Sequence, residues 1–363
     1  MRRSRLITVL MAAAFAVVAC GGGGGGGGSS SSTSSGGKKI ALLLPETKTA
    51  RYESKDRPYF TDKLKSLCSD CTVIYSNANQ DAAQQQSQAE AALTNGANVL
   101  VLDAVDAASA SAIAQKAKQQ KVPVVSYDRL VTGTDAIDYY ISFDNVAVGK
   151  LQGTSLLTAL GGKADASVVM INGAPTDNNA KLFKEGAHSV LDGKVKIAKE
   201  YDTPDWSPNK AQDEMTQALT ALNNKVDGVY AANDGTGGGA IAAMKSGGLK
   251  PLPPVTGQDA ELAAIQRIVT GEQYMTVYKA IKPEAEGAAT LAYDLATGKT
   301  VPSDMTAGNK VNNGAKDVPS VLLTPVAVTK QNIKDTVVKD GYWSTTDICT
   351  AQFADACKAA GLS

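Results

Sequence analysis

From residue 39 onward the chain alternates short apolar β-rich runs with helical stretches, and this alternation restricts the fold more than any other feature. "KIALLLP" (39–45), "CTVIYSNA" (71–78), "ANVLVLDAV" (97–105) and "VPVVSYD" (122–128) read as strands. Helical segments separate them: "YFTDKLKSLC", the stretch from Asp81 to Gly96, and 107–120. Asp81 is a residue type that accepts the first free amides of a helix, and Gly96 one that ends it. The series continues with strands at 167–173, 195–202, 227–233, "PVTGQD" (254–259) and "MTVYK" (275–279). Helices are expected at 146–160, 178–191, 208–223, 236–246, 260–270 and 283–297, and "SVLLTPVAV" (320–328) reads as a late strand. Strands that are apolar throughout are covered on both faces, as in parallel sheets flanked by helices. A single βα barrel and two Rossmann-like lobes both satisfy the pattern. The restart at "ISFDN" (141–145) favours two α/β lobes with a crossover there.

The strand ends indicate where chemistry would sit. Expected strands finish at Tyr127-Asp128-Arg129, Asn233-Asp234, Gln258-Asp259 and Tyr278-Lys279. In open α/β sheets ligands bind beyond the carboxyl ends of strands. Loops are polar in any protein, but these ends repeatedly carry charged and amide side chains. "GTGGG" (235–239) follows a strand and opens a helix, yet it lacks a following Lys-Ser/Thr and the GxGxxG spacing of phosphate loops. Its glycines are expected to let the backbone turn tightly into the helix and approach the cleft.

The amino terminus addresses location. Arg2, Arg3 and Arg5 precede the apolar run 6–18, which is shorter than the ~20 residues a membrane span needs. Residues 1–19 therefore read as an export signal. Val17-Val18-Ala19-Cys20 is similar to a bacterial lipobox, whose cysteine is lipidated and begins the mature chain. The run 20–37 is almost entirely Gly and Ser after Cys20, a flexible tether reaching roughly 20–25 Å.

Lys+Arg and Asp+Glu both number 36, so no basic excess asks for nucleic acid. Besides Cys20 there are Cys68 and Cys71 in a CxxC, and Cys349 and Cys357 near the carboxyl terminus. Zinc binding and a redox CxxC are alternatives, but export favours two local disulfides, Cys68–Cys71 and Cys349–Cys357. His188, the sole histidine, falls on an expected helix and reads as a surface residue rather than a ligand or base.

The chain resembles the bacterial xylose-binding branch of the type I periplasmic sugar-binding proteins, which serve ABC importers. The resemblance spans about 38–340. It is carried by "ARYESKDR" (50–57), "SYDRL" (126–130), "YYISFDNVAVGKLQ" (139–152), "DNNAKLF" (177–183), "NDGTGGGAI" (233–241), "GQDAELAAIQRI" (257–268), "MTVYK" (275–279) and "LTPVAVTKQNI" (323–333). It implies two lobes joined by a three-segment hinge, with crossings expected near 143–145, 275–278 and 306–320. The lobes would comprise 38–143 plus 278–308 and 144–277 plus 309–345, followed by a disulfide-bearing tail, 346–363. It also implies that Arg51, Arg129, Asn178, Trp206, Asn233, Asp259 and Lys279 hold a buried monosaccharide. Tyr52 stands where a stacking tryptophan is common, and Asp128 and Asp234 lie beside the contacts. "LDAVD" (102–106) and "PETKTA" (45–50) depart from the family pattern.

These residue types suit a sugar on their own terms. A hydroxyl donates and accepts; Asp accepts, Arg and Lys donate, and Asn does both. Aromatic faces match the C–H face of a pyranose. The expectation is a monomeric, cofactor-free receptor on the outer face of the cell membrane, anchored through Cys20, that delivers a monosaccharide to a permease and its ATPase. A sugar sensor needs the same site. A glycoside hydrolase would need two carboxylates flanking the scissile bond, with Asp128 and Asp259 the nominees.

Overall fold

The structure, a computed structural model, describes residues 37–362. The leader, Cys20 and all but the last residue of the tether lie outside the described residues. No described helix is long and apolar enough to cross a membrane.

The first lobe is built on β1 (Lys39–Leu44), β2 (Thr72–Asn77), β3 (Val99–Leu102), β4 (Val124–Tyr127) and β5 (Tyr139–Phe143), all paired in parallel. Helices α1 (Arg57–Leu67), α2 (Ala82–Thr94) and α3 (Ser111–Gln119) connect them. Asp81 caps α2, accepting from the amides of Ala83 and Gln84. Strand alternation explains why β1 is apolar throughout. Ala41 and Leu43 enter the core on one face of the sheet, while Ile40, Leu42 and Leu44 enter the core on the other.

The chain then crosses at Asp144 into the second lobe. There α4 (Asn145–Ala159), β6 (Ser167–Asn172), α5 (Asn178–Leu191), β7 (Lys196–Asp202), α6 (Pro208–Ala221), β8 (Gly228–Ala231), α7 (Asp234–Ser246), α8 (Leu262–Thr270) and β9 (Met275–Tyr278) follow in order. The parallel strand order is β7-β6-β8. The expected strand at 254–259 is reduced to two bridges, Val229 with Val255 and Gln258 with Val277. Side chains take the remaining backbone groups. Thr256 Oγ1 accepts from the Ala231 amide at 2.9 Å, and Gln152 Nε2 donates to the Ala231 and Gly257 carbonyls at 2.9 and 3.1 Å.

A second crossing at Lys279–Ala280 leads to α9 (Ile281–Thr297), which packs on α1 and the first sheet. After α10 (Ser303–Thr306) come β10 (Lys310–Asn312) and β11 (Asp317–Leu323), which extend the first sheet to the order β10-β11-β5-β4-β3-β1-β2. Two expectations are corrected here. Residues 309–323, assigned to the C-terminal lobe, belong to the first sheet, because β11 pairs with β5. The single late strand at 320–328 is two strands, β11 and β12 (Val326–Thr329), the latter antiparallel to β9. Pro325 lies between them and has no amide to donate to a ladder. The third crossing is therefore at 324–325, not within 306–320.

The tail carries α11 (Thr345–Ile348) and α12 (Ala354–Ala359) against α8, and the disulfides Cys68–Cys71 and Cys349–Cys357 are both formed. His188 is half-buried at the surface between Asp192 and Glu200.

Helices α4 and α5 touch through glycine. A Cβ on Gly149 would stand 2.0 Å from the Phe183 carbonyl oxygen, and one on Gly186 2.2 Å from that of Val146. Such backbone contact cannot yield cheaply. Gly149→Ala is expected to lower stability by about 1–3 kcal/mol in urea unfolding, as overpacking does; unchanged stability would show that the helices separate freely.

Candidate functional site

The carboxyl ends of both sheets meet at one enclosed cavity. From the first lobe, the segment after β1 supplies Arg51 and Tyr52, and the turn after β4 supplies Asp128 and Arg129. From the second, the segments after β6, β7 and β8 supply Asp177, Asn179, Trp206 and Asn233, and the bridge segment supplies Gln258 and Asp259. Lys279, on the second crossing, reaches in between them.

Charged groups in this space are balanced. Arg51, Arg129 and Lys279 face Asp128, Asp177 and Asp259. Arg51 is held from behind. Its Nε and one terminal nitrogen donate to Asp56 at 3.0 and 2.6 Å, and that nitrogen also donates to Glu284 on α9 at 2.7 Å. The other terminal nitrogen lies 3.4 Å from Asp128 and 3.9 Å from Asp259 without a hydrogen-bond partner. Arg129 is placed by Asp177, 3.0 Å away across the cleft, with Asp103 3.6 Å behind it. Lys279 Nζ is 3.0 Å from Asp259 Oδ1, yet that oxygen has no hydrogen bond of good geometry, and neither has Gln258 Oε1. The cavity thus presents one buried donor and two buried acceptors that no protein group satisfies. Such groups cost ~1–3 kcal/mol each until something pairs them.

Two aromatic rings border the charges. Trp206 is 4% exposed; its Nε1 donates to Asp177 at 3.1 Å and its ring meets Phe183 edge-on. The ring occupies the space over Gly173, where any Cβ would come within 2.0 Å of it. Tyr52 donates its hydroxyl to Asp128 at 3.1 Å. Three lining residues have left-handed backbone, Asp128 (φ 52°), Trp206 (φ 52°) and Asp259 (φ 89°). Non-glycine residues adopt this conformation at a cost, and such positions concentrate at ligand clamps.

Burial opposes ionisation of Asp128, but Arg51, Lys279, Arg129 and the Tyr52 hydroxyl together hold its pKa down at about 2. Asp103 and Glu284, fully buried, are pushed well up by burial.

Of the ten expected ligand residues, eight line the cavity: Arg51, Tyr52, Asp128, Arg129, Trp206, Asn233, Asp259 and Lys279. The other two stand outside the lining. Asn178 does not line it; its neighbour Asn179 does, donating to the Asp128 carbonyl at 3.0 Å. One residue is ~100° around a helix, and Asp177 caps α5 through the Asn179 amide, which fixes that phase. Asp234 stands behind the lining. It accepts from Gln273, Thr276 and the Glu261 amide at 2.7–2.9 Å and so fixes the segment bearing Asp259. The glycines of 235–239 serve packing rather than a turn: they lie within α7, where a Cβ on Gly239 would meet the Pro208 carbonyl of α6 at 2.2 Å. Sequence reasoning missed Asp177 as a lining residue, and with it Asn179 and Glu284. Asp177 had a signal, an acid at the expected start of a helix after a strand.

Burial pushes Asp234 up to about 7 and Glu261 up to about 8, against the pull of Arg267. The folded chain therefore holds protons that the unfolded chain releases, and this stabilisation is full at low pH and lost as pH rises through those values. The opposite contribution of Asp128 changes only below pH ~4. Urea unfolding is expected to show stability falling from pH 5 to pH 8, with a shallower slope in Asp234→Asn. An unchanged slope in the variant would contradict the assignment.

Comparison with known proteins agrees with this architecture. Residues 40–300 match the periplasmic binding protein domain family. The D-xylose-binding periplasmic protein of Escherichia coli (strain K12) is 41% identical over 315 residues, covering 85% of this chain and 92% of the relative. A multiple sugar-binding periplasmic receptor of Rhizobium radiobacter is 37% identical over 286 residues, 73% of this chain and 80% of the relative. A carbohydrate transporter solute-binding protein from Chloroflexus aurantiacus, solved in complex with D-glucose, superposes with a TM-score of 0.78 at 30% identity, covering 85% of this chain and 98% of that one. These relatives are solute-binding proteins, not enzymes. The chain belongs to the type I periplasmic sugar-binding protein family.

Proposed function

We propose that this protein captures one neutral monosaccharide, xylose or a related aldose, between its lobes and delivers it to an ABC permease. One observation carries the reading: the cavity is balanced in charge yet retains an unpaired donor on Arg51 and unpaired acceptors on Asp259 and Gln258. A ligand that both donates and accepts, with no charge of its own, satisfies that set; a phosphate or carboxylate does not. Trp206 and Tyr52 supply apolar faces for the sugar ring. The relatives named for xylose and for multiple sugars support the ligand class.

The enclosed space is about 20 Å³, room for a water molecule and not for a sugar ring. Capture therefore requires the lobes to part about the crossings at 144, 279–280 and 324–325, a hinge motion. Sugar hydroxyls then replace the pairing of Arg51 and Lys279 with the aspartates. A hydrolase reading finds no proton donor in Asp128, whose pKa of about 2 leaves it ionised at neutral pH. A sensor that presents the bound sugar to a membrane receptor would use the same cleft, and loss of sugar uptake on deletion of the gene separates transport from sensing.

A thermal-shift screen of aldoses identifies the ligand, and titration calorimetry then tests the site. Asp259→Ala is expected to weaken binding by about 2–3 kcal/mol, since it strands donor hydroxyls in a dry cavity. An unchanged dissociation constant would overturn the site. The export signal and Cys20 support lipid anchoring at the outer face of the membrane. Cys20→Ala is expected to move the protein from the membrane fraction to the soluble one; continued membrane association would contradict the anchor.

A further inference from the structure

The carboxyl-terminal segment from Tyr342 through the tail touches both lobes beside the cavity. It is rooted on the second lobe, where Ile348, Cys357 and Leu362 are buried against Ile265 and Ile268 of α8, and Cys349–Cys357 closes it on itself. From that root two side chains reach the backbone that carries Asp259. Tyr342 donates its hydroxyl to the Asp259 carbonyl at 3.2 Å, and Trp343 donates Nε1 to the Ala260 carbonyl at 2.7 Å. Both acceptor residues have left-handed backbone, φ 89° and 49°. The two bonds therefore pin the conformation that aims the Asp259 carboxylate into the cavity.

The same two residues are gripped from the first lobe. Lys55 lies in the turn Tyr52–Asp56, immediately after Arg51. Its Nζ donates to the Tyr342 carbonyl at 2.7 Å and sits 4.8 Å from the Tyr342 ring centre and 4.1 Å from that of Trp343. Partial burial lowers its pKa, while Asp347 of the tail pulls the other way.

We propose that Lys55 and the Tyr342–Trp343 pair form an inter-lobe clasp that slows release of the bound ligand. The clasp rests on the reading of the cavity as a sugar site. Because the tail is fixed to α8, parting the lobes pulls Lys55 away from both rings and from the Tyr342 carbonyl. Opening then breaks a charge-assisted hydrogen bond and a cation sandwiched against two aromatic rings. Lys55, Tyr342 and Trp343 are positioning residues; they act through the backbone of Asp259 and Ala260 and through closure.

Stopped-flow measurement of D-xylose and D-glucose binding to the intact protein tests the clasp. Lys55→Met keeps most of the stem and removes the charge. It is expected to speed release by at least about 30-fold, the low end of the combined worth of a cation–aromatic contact and a charged hydrogen bond. Association, which requires the lobes to part, is expected to be no slower than in the wild type, any fall in the melting temperature of the sugar-free protein is expected to be recovered by arginine, and Lys55→Arg, which keeps a cation over the rings, restores slow release. Unchanged release in Lys55→Met, with a wild type that binds, overturns the clasp alone. A lowered melting temperature with no rescue by arginine makes Lys55 merely structural and also overturns it. A wild type that binds no aldose overturns the sugar reading, and the clasp's role with it.

Discussion

The cleft depends on keeping a guanidinium, Arg51, charged and immobile in a site almost closed to water. A lone buried charge is ruinous, and a buried pair is tolerable only when its geometry and remaining hydrogen bonds are good. Asp56 and Glu284 meet both conditions from behind, leaving one edge of Arg51 for the cavity. The two carboxylates come from distant parts of the sequence. Asp56 ends the turn after β1, whereas Glu284 lies on α9, after the chain has left the second lobe and returned. The return crossing is thus part of the site: it carries Lys279 itself and delivers Glu284 five residues later.

The same balance couples binding to movement. Arg129 with Asp177 and Asn179 with the Asp128 carbonyl join opposite lobes directly. They span a cleft whose remaining space is about 20 Å³. On the proposed reading, a polyol that arrives while the lobes are apart would pair with the Arg51 donor and the Asp259 and Gln258 acceptors that lack hydrogen bonds in the sugar-free cavity. Trp206, which borders the cavity, is held over Gly173 by its bond to Asp177.

Much of the fold was legible because a fully buried parallel strand leaves an unbroken apolar run; β1, β3 and β6 are examples. The run at 320–328 misled for the same reason. Both β11 and β12 look apolar enough for one strand, and only Pro325, which cannot join a ladder, marks the change of sheet. The segment 254–259 does exchange backbone hydrogen bonds with Val229 and Val277, but only as two isolated bridges, and the Thr256 and Gln152 side chains supply further bonds to the Ala231 and Gly257 backbone. In the site, strand ends exposed Asp128, Arg129, Asp259 and Lys279. Helix phase was not legible, so Asn178 and Asn179 could not be told apart until the Asp177 cap fixed the first turn of α5. Glu284 gave no signal at all, since its partner is 233 residues away.

The central claim is that one uncharged sugar sits between the lobes and is held by both. A crystal structure of the protein grown with the aldose that most raises its melting temperature tests this most directly. The account predicts electron density for a single monosaccharide with hydroxyls on Arg51 and Asp259 and its ring against Trp206. Density for the sugar at any other surface, with Arg51 and Asp259 still facing each other undisturbed, would contradict it.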